Sequence, residues 1–142
     1  MPPELAREVR RWLRYVQEDL ATAEALRAES PPRHAAWLAQ QAAEKAIRAV
    51  LVAVRVPFPF VHDLERLVAL VPEGWGVRGV KGDLSLLTDF AVDARYPDDL
   101  PDIDREAAQT GVDHARRVVA AVEADPAPAL SGGGGPPAAP PV

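Results

Sequence analysis

Apolar residues recur at steps of three and four positions along most of the chain, which is the spacing that predicts amphipathic helices. The first run extends from Leu5 to Leu26 and predicts a helix of about six turns, with charged side chains on the opposite face. The second run, from roughly His34 to Val54, is apolar around much of its circumference. A helix of this kind is buried on two sides, either by its neighbours in a bundle or by another subunit.

Prolines and glycines separate these long runs from shorter elements. The alternating prolines of VPFPF, residues 56–60, exclude a helix there because each removes a backbone donor and fixes φ. A short helix is predicted from about Asp63, in its N-cap position, to Val71. The segment from Pro72 to Asp83 contains four glycines and is predicted to be a loop.

Two further helices complete the pattern. Asp83 is the predicted N-cap of a helix that reaches Ala94, and the last helix begins near Asp102 or Asp104 and ends by Pro126. The period-two alternation that marks strands is absent from the sequence. The predicted fold class is therefore all-α: an up-down antiparallel four-helix bundle with an additional short helix.

The domain organisation follows from length and local composition. A chain of 142 residues makes one domain with a sizeable core. We assign residues 1–125 to the helical bundle. Residues 126–142 are rich in Gly, Pro and Ala without a core-forming pattern, and a disordered tail is expected there.

Composition limits the cellular compartment and the classes of binding partner expected for this protein. The chain has no cysteine, which excludes disulfides and thiolate chemistry and fits a reducing cytoplasm. Its net charge of −5 argues against a general nucleic-acid binder. A local basic segment, best explained as a solvated helix face, contains Arg7, Arg10, Arg11 and Arg14. No apolar segment is long enough to span a membrane and no signal peptide is evident, so a soluble cytoplasmic protein is expected.

Polar side chains inside the second helix are the strongest anomaly of the sequence. Its most apolar stretch contains five polar residues: Gln40, Gln41, Glu44, Lys45 and Arg48. Buried side chains of this kind need partners, because an unpaired buried charge is expensive. Arg95, at the predicted end of the fourth helix, has the planar fork that suits a carboxylate such as Glu44 or Asp19. We therefore predict a polar cluster near one end of the bundle, made of Gln41, Glu44, His62, Arg95 and Tyr96.

Candidate metal ligands are few and poorly spaced. The three histidines, His34, His62 and His114, have no partner at metal-ligand spacing. The acidic residues between 98 and 104 lack the spacing of a calcium loop, and the positive N-terminus of the following helix explains them better. We expect no metal and no cofactor, and assign no catalytic residue.

Four segments resemble the HEPN domain in their order and spacing: WLRYVQEDLATAEAL (12–26), AAWLAQQAAEKAIRAVLVA (35–53), VHDLERLV (61–68) and LTDFAVDARYPDD (87–99). The resemblance covers residues from about 8 to 124 and implies a four- or five-helix up-down bundle, commonly a homodimer. It further implies a separately encoded minimal nucleotidyltransferase as partner. The similarity of such bundles to the C-terminal helical domain of kanamycin nucleotidyltransferase implies nucleotide binding.

On this interpretation a nucleotide or RNA would meet the polar cluster. Lys45 and Arg95 would contact phosphate, and Tyr96 would stack on a base. The full set of candidate ligand-binding residues is Gln41, Glu44, Lys45, His62, Arg95 and Tyr96.

Many HEPN proteins are metal-independent ribonucleases or toxins, whose motif is an Arg, a polar residue and, after four to six intervening residues, a His. In this chain the Arg maps to Arg95, and Tyr96 stands in the place of the polar residue. The window for the His falls on residues 100–102, which are Leu-Pro-Asp, so the general acid or base is missing. The leading hypothesis is a non-catalytic HEPN protein. The alternative is a metal-independent RNase of a toxin–antitoxin pair that uses Arg95 with His62.

Overall fold

The computed structural model describes residues 1–26, 28, 30–80, 84–93 and 102–125. These residues form five α-helices, in chain order α1 (Pro3–Leu26), α2 (Pro32–Ala53), α3 (Leu64–Ala69), α4 (Leu84–Asp93) and α5 (Arg105–Glu123). None of the described residues is in a strand, which confirms the all-α helical bundle. No helix among them is long and apolar enough to cross a membrane. The predicted N-cap Asp83 and the predicted tail, residues 126–142, lie outside the described residues.

The second helix is the centre of the bundle. It packs most extensively against α1 and α5, and it also contacts α4 and α3. More than half of its side chains are buried, including the fully buried Ile47, Val50 and Leu51. Neighbouring helices of the same chain therefore cover its apolar circumference, and burial by a second subunit is not needed to explain it.

Two aspartates cap helix N-termini with their side chains. Asp63 accepts a hydrogen bond from the backbone N–H of Arg66 at 3.2 Å, as its N-cap position predicts. Asp104 accepts one from the N–H of Ala107 at 2.7 Å, so the last helix begins after Asp104 rather than after Asp102. The Asp63 cap fixes the start of α3, and with it the position of the neighbouring His62.

The C-terminus of α2 closes in a Schellman motif with an arginine in the left-handed conformation. The N–H of Val56 donates to the carbonyl of Leu51 at 2.9 Å, and that of Arg55 to the carbonyl of Val52 at 3.1 Å. Arg55 has φ of 59°, a conformation that glycine adopts more readily. The motif turns the chain sharply from α2 into the proline-containing segment 56–60.

The segment that follows α3 differs from the predicted loop. Residues Gly76–Gly79 form a 3-10 turn, and Trp75 and Val77 are buried in the core. Arg78 donates to the carbonyl of Val71 at 2.5 Å, which satisfies a backbone acceptor just after α3. Abundant glycine in this segment therefore accompanies a packed connection, because two large apolar side chains hold it against the bundle.

The contact between α4 and α5 depends on a glycine. A side chain added at Gly111 would overlap the ring of Phe90, which is itself buried. At its other end α4 meets α3, where Thr88 Oγ1 accepts a hydrogen bond from the N–H of Leu64 at 3.0 Å. Both α3 and α4 also contact α2, the helix that carries the buried polar residues.

Candidate functional site

Three polar side chains of α2 are buried within the bundle. Gln40 is 0%, Glu44 3% and Arg48 8% exposed. Their spacing of four residues places them one above another on a single face of the helix. This row is the foundation of the candidate site, because the desolvation of its charges demands local partners.

The carboxylate of Glu44 is bonded on both oxygens. Oε1 accepts a hydrogen bond from Gln40 Nε2 at 2.8 Å and lies 2.7 Å from His62 Nδ1. Oε2 lies 3.2 Å from Arg48 Nη2. A carboxylate only accepts hydrogen bonds, so the contact requires a proton on His62 Nδ1. Glu44 therefore joins α2 to the residue that precedes the Asp63 cap.

Arg48 fixes the segment between α2 and α3. Its Nη2 donates to the carbonyl of Val61 at 2.9 Å. The guanidinium carbon lies 5.5 Å from the centroid of the Phe58 ring and 6.0 Å from that of Phe60, within the range of cation–π attraction. Its buried Nε has no hydrogen-bond partner among the residues that the structure describes. The Phe60 ring is 93% exposed, so an aromatic surface lies directly beside this buried cation.

The remaining α2 candidates point in different directions. Lys45 Nζ donates to Asp19 Oδ2 of α1 at 2.5 Å and lies 5.7 Å from the centroid of the Tyr15 ring. Gln41 Nε2 donates to Gln40 Oε1 at 2.7 Å. Glu44 and His62 are thus in direct contact, Gln41 is linked to them through Gln40, and Lys45 lies against α1.

Arg95 and Tyr96, the other two predicted members of the cluster, lie outside the described residues. Among the described residues, Arg48 provides the guanidinium that pairs with Glu44. Asp19, the other carboxylate considered for Arg95, is bonded to Lys45.

Gln40, Arg48 and the two phenylalanines were not predicted as members of the site. The spacing of Gln40, Glu44 and Arg48 carried a signal for the first two, since residues four apart are neighbours on a helix. Phe58 and Phe60 lie beside Arg48 because the chain reverses direction after α2. No periodicity in the sequence marks that reversal.

The arrangement offers one recognisable chemical unit, an imidazole oriented by a carboxylate. In hydrolases such a carboxylate holds a histidine so that its other ring nitrogen can exchange protons. The His62 side chain is 44% exposed, so solvent reaches the ring. Glu44 also bonds to Arg48 and Gln40. The same contacts therefore serve a structural role, because they link α2 to residues 58–63. Within the described part of the chain, no three acidic or histidine side chains are grouped to hold a metal ion.

Comparisons with known proteins agree with this architecture. The sequence model of the HEPN domain matches residues 9–125. The crystal structure of TT1696 from Thermus thermophilus is similar at 27% identity with a TM-score of 0.71, over 81% of this chain and 95% of that chain. ST0689, an archaeal HEPN homologue, shares the fold at 20% identity and a TM-score of 0.58, over 81% of this chain and 94% of that chain. No curated protein matches the sequence. Because the family match spans most of the sequence and both folds agree, this chain belongs to the HEPN domain family.

Proposed function

We propose that the chain is a non-catalytic HEPN module of the cytoplasm, a homodimer that associates with a separately encoded minimal nucleotidyltransferase and binds a nucleotide. Residues 1–125 form the module and residues 126–142 a tail outside it. The observation that carries the non-catalytic part is the full engagement of Glu44, whose two oxygens meet Gln40, His62 and Arg48. A carboxylate held this way braces the helices, and the sequence supplies no histidine in the nuclease window after Arg95.

The proposed nucleotide site uses Lys45 and Arg95 as its cations. Lys45 has three donors and its bond to Asp19 uses one, so two can meet a phosphate. In the proposal Arg95 supplies a second phosphate contact and Tyr96 a stacking surface, and Gln41, Glu44 and His62 are the further members of the site. Calorimetric titration with ATP tests this site. Lys45→Gln is expected to weaken binding severalfold, and Arg33→Gln, an exposed change at the start of α2, is expected to leave it unchanged.

The partner and the homodimer are tested together by light scattering. The chain alone is expected to run as a dimer at micromolar concentration. Addition of a separately encoded minimal nucleotidyltransferase from the same genome is expected to produce a larger complex. Because most of the apolar face of α2 is buried within one chain, we propose that the dimer forms through other elements. A chain that stays monomeric and forms no complex with the nucleotidyltransferase would contradict this proposal.

One observation favours a second candidate, a metal-independent RNase. The carboxylate of Glu44 lies 2.7 Å from His62 Nδ1, which orients a partly exposed imidazole as a general acid or base is oriented. In this alternative His62 takes the role of the missing motif histidine and Arg95 stabilises the charge on the phosphate. The two candidates differ in one outcome, the cleavage of RNA without added metal.

A further inference from the structure

Phe60 is the most exposed large apolar side chain of the residues that the structure describes. It is 93% exposed, and the next, Val92, is 57% exposed. Phe60 belongs to residues 56–61, Val-Pro-Phe-Pro-Phe-Val, six consecutive uncharged residues of which none is buried. An exposed aromatic ring within a contiguous apolar segment marks an interaction site, because a lone soluble domain gains stability by burying such surface.

The backbone on both sides of Phe60 is held in place. Pro57 and Pro59 each fix φ at their own position. The N–H of Val61 donates to the carbonyl of Pro59 at 3.0 Å, which closes a γ-turn centred on Phe60. The carbonyl of Val61 in turn accepts a hydrogen bond from the buried Arg48 at 2.9 Å. The exposed ring therefore projects from a segment with little conformational freedom.

The buried polar cluster of α2 supports the same segment. Glu44 lies 2.7 Å from His62 Nδ1 and 3.2 Å from Arg48 Nη2. The guanidinium carbon of Arg48 lies 6.0 Å from the centroid of the Phe60 ring. A side chain presented by an ordered segment loses less conformational entropy on binding than one on a mobile loop. These contacts thus suit Phe60 to be the anchor of an interface.

The lack of charge on this segment favours a second copy of the chain as its partner. A twofold interface brings the same patch of both copies together, so exposed charges of one sign would meet themselves. The outer face of α1 exposes four arginines, and α5 exposes Arg116 and Arg117 side by side. Residues 56–61 are the longest uncharged run without a buried member in the described part of the chain. An uncharged surface offers nothing to an acidic or basic partner, but it matches an identical surface.

Apolar residues of α3 and α4 can extend the contact around Phe60. A specific interface buries about 800 Å² on each partner, which is more than one phenylalanine provides. Leu70, directly after α3, is 36% exposed, and Val92 lies in the last turn of α4. The two helices contact each other. Three of the five exposed large apolar residues therefore lie on or beside this pair of helices, and the other two, Met1 and Tyr15, belong to the α1 end of the chain.

We propose that two copies of this chain meet through residues 56–61 in a twofold interface, with the Phe60 ring of each copy as its anchor. Neighbouring residues of α3 and α4 complete the contact. The inference rests on the homodimer proposed above and adds the location of its interface. It also gives the contacts among Glu44, Arg48 and His62 a role beyond stability, since they position the segment that carries the anchor.

Sedimentation velocity over a concentration series tests the anchor with Phe60→Ser. A dimer of this variant lacks both anchors, and the burial of each contributes about tenfold or more to affinity. The dissociation constant of the dimer is therefore expected to rise about a hundredfold or more. Helix content by circular dichroism is expected to stay unchanged, because the side chain is exposed in the single chain. Tyr15→Ser, which removes an exposed aromatic ring from α1, is the matched control and is expected to dimerise like the wild type.

Cross-linking locates the interface while Phe60 stays in place. The chain has no cysteine, so Pro57→Cys and Tyr15→Cys each introduce a single thiol at an exposed position. With a short bismaleimide, Pro57→Cys is expected to give a covalent dimer and Tyr15→Cys is expected to stay uncoupled.

The outcomes separate this inference from the homodimer on which it rests. A wild-type chain that sediments as a monomer would overturn both. A dimer that Phe60→Ser leaves intact, or that couples through Tyr15→Cys and not through Pro57→Cys, would overturn the inference alone. If Phe60→Ser abolishes the complex with the nucleotidyltransferase and leaves the dimer intact, the anchor belongs to that protein's interface instead.

Discussion

Replacing Glu44 by alanine is the most informative perturbation of the polar cluster. It removes the carboxylate to which Gln40, Arg48 and His62 are bonded. Arg48 is only 8% exposed, so its guanidinium loses the counter-ion where water hardly replaces it. Breaking a buried ion pair in this way costs about 3–5 kcal/mol. The His62 contact adds little to this figure, because the imidazole side chain is 44% exposed. We therefore expect Glu44→Ala to lower the free energy of unfolding by about 3–5 kcal/mol, a large part of the ~5–15 kcal/mol typical of a domain.

The assay is urea denaturation at neutral pH, followed by circular dichroism. Glu18→Ala is the matched control, because Glu18 is an exposed helical glutamate 3.7 Å from Arg14. Its effect is expected to stay within about 0.5 kcal/mol. A Glu44→Ala variant as stable as the control would refute the buried pairing.

A second substitution separates the charge from the lost packing. Arg48→Met in the Glu44→Ala background removes the unpaired cation while keeping an unbranched apolar side chain. The double variant is expected to be more stable than Glu44→Ala alone, with a coupling energy above about 1 kcal/mol. If the losses of unfolding free energy from Glu44→Ala and Arg48→Met simply add, the ion pair between the two residues does not contribute to stability.

Three further substitutions test local features of the fold by the same denaturation measurement. Gly111→Ala is expected to destabilise by about 1–3 kcal/mol, because the overlap with Phe90 outweighs the better helix propensity of alanine; a gain in stability would show that α4 and α5 separate freely. Arg55→Gly is expected to stabilise by about 1 kcal/mol by relieving the left-handed conformation at φ 59°, and a loss would mean that the side chain makes a contact that outweighs this strain. Asp104→Ala is expected to cost about 1 kcal/mol and Asp102→Ala almost nothing, since only Asp104 caps α5; equal losses would contradict that assignment.

The helices were predictable because their signals are local. The apolar periodicity of α1 and α2 and the cap at Asp63 depend on residues within a few positions of one another. The segment around Trp75 and Val77 was predicted as a loop because its glycines are a local signal of conformational freedom. Its burial depends on a core assembled from distant parts of the chain, which periodicity does not register.

The polar cluster was predictable in part for the same reason. A glutamate in the most apolar helix indicated buried pairing at Glu44, and His62 Nδ1 lies 2.7 Å from it. Arg48 was already named among the anomalous residues, but the predicted partner of Glu44 was the distant Arg95. Sequence spacing does not show which rotamer Arg48 adopts, and the structure brings its guanidinium 3.2 Å from the carboxylate. Arg95 and Tyr96 lie outside the described residues and stay predictions.

RNA cleavage in the absence of added metal decides whether this HEPN protein is catalytic. A labelled single-stranded RNA is incubated with the wild-type chain, with His62→Ala and with Arg95→Ala, in the presence of a chelator. No cleavage above the protein-free control is expected for any of the three, because the contact between Glu44 and His62 is structural. Cleavage by the wild type that is lost in both variants would contradict it and establish the ribonuclease in its place.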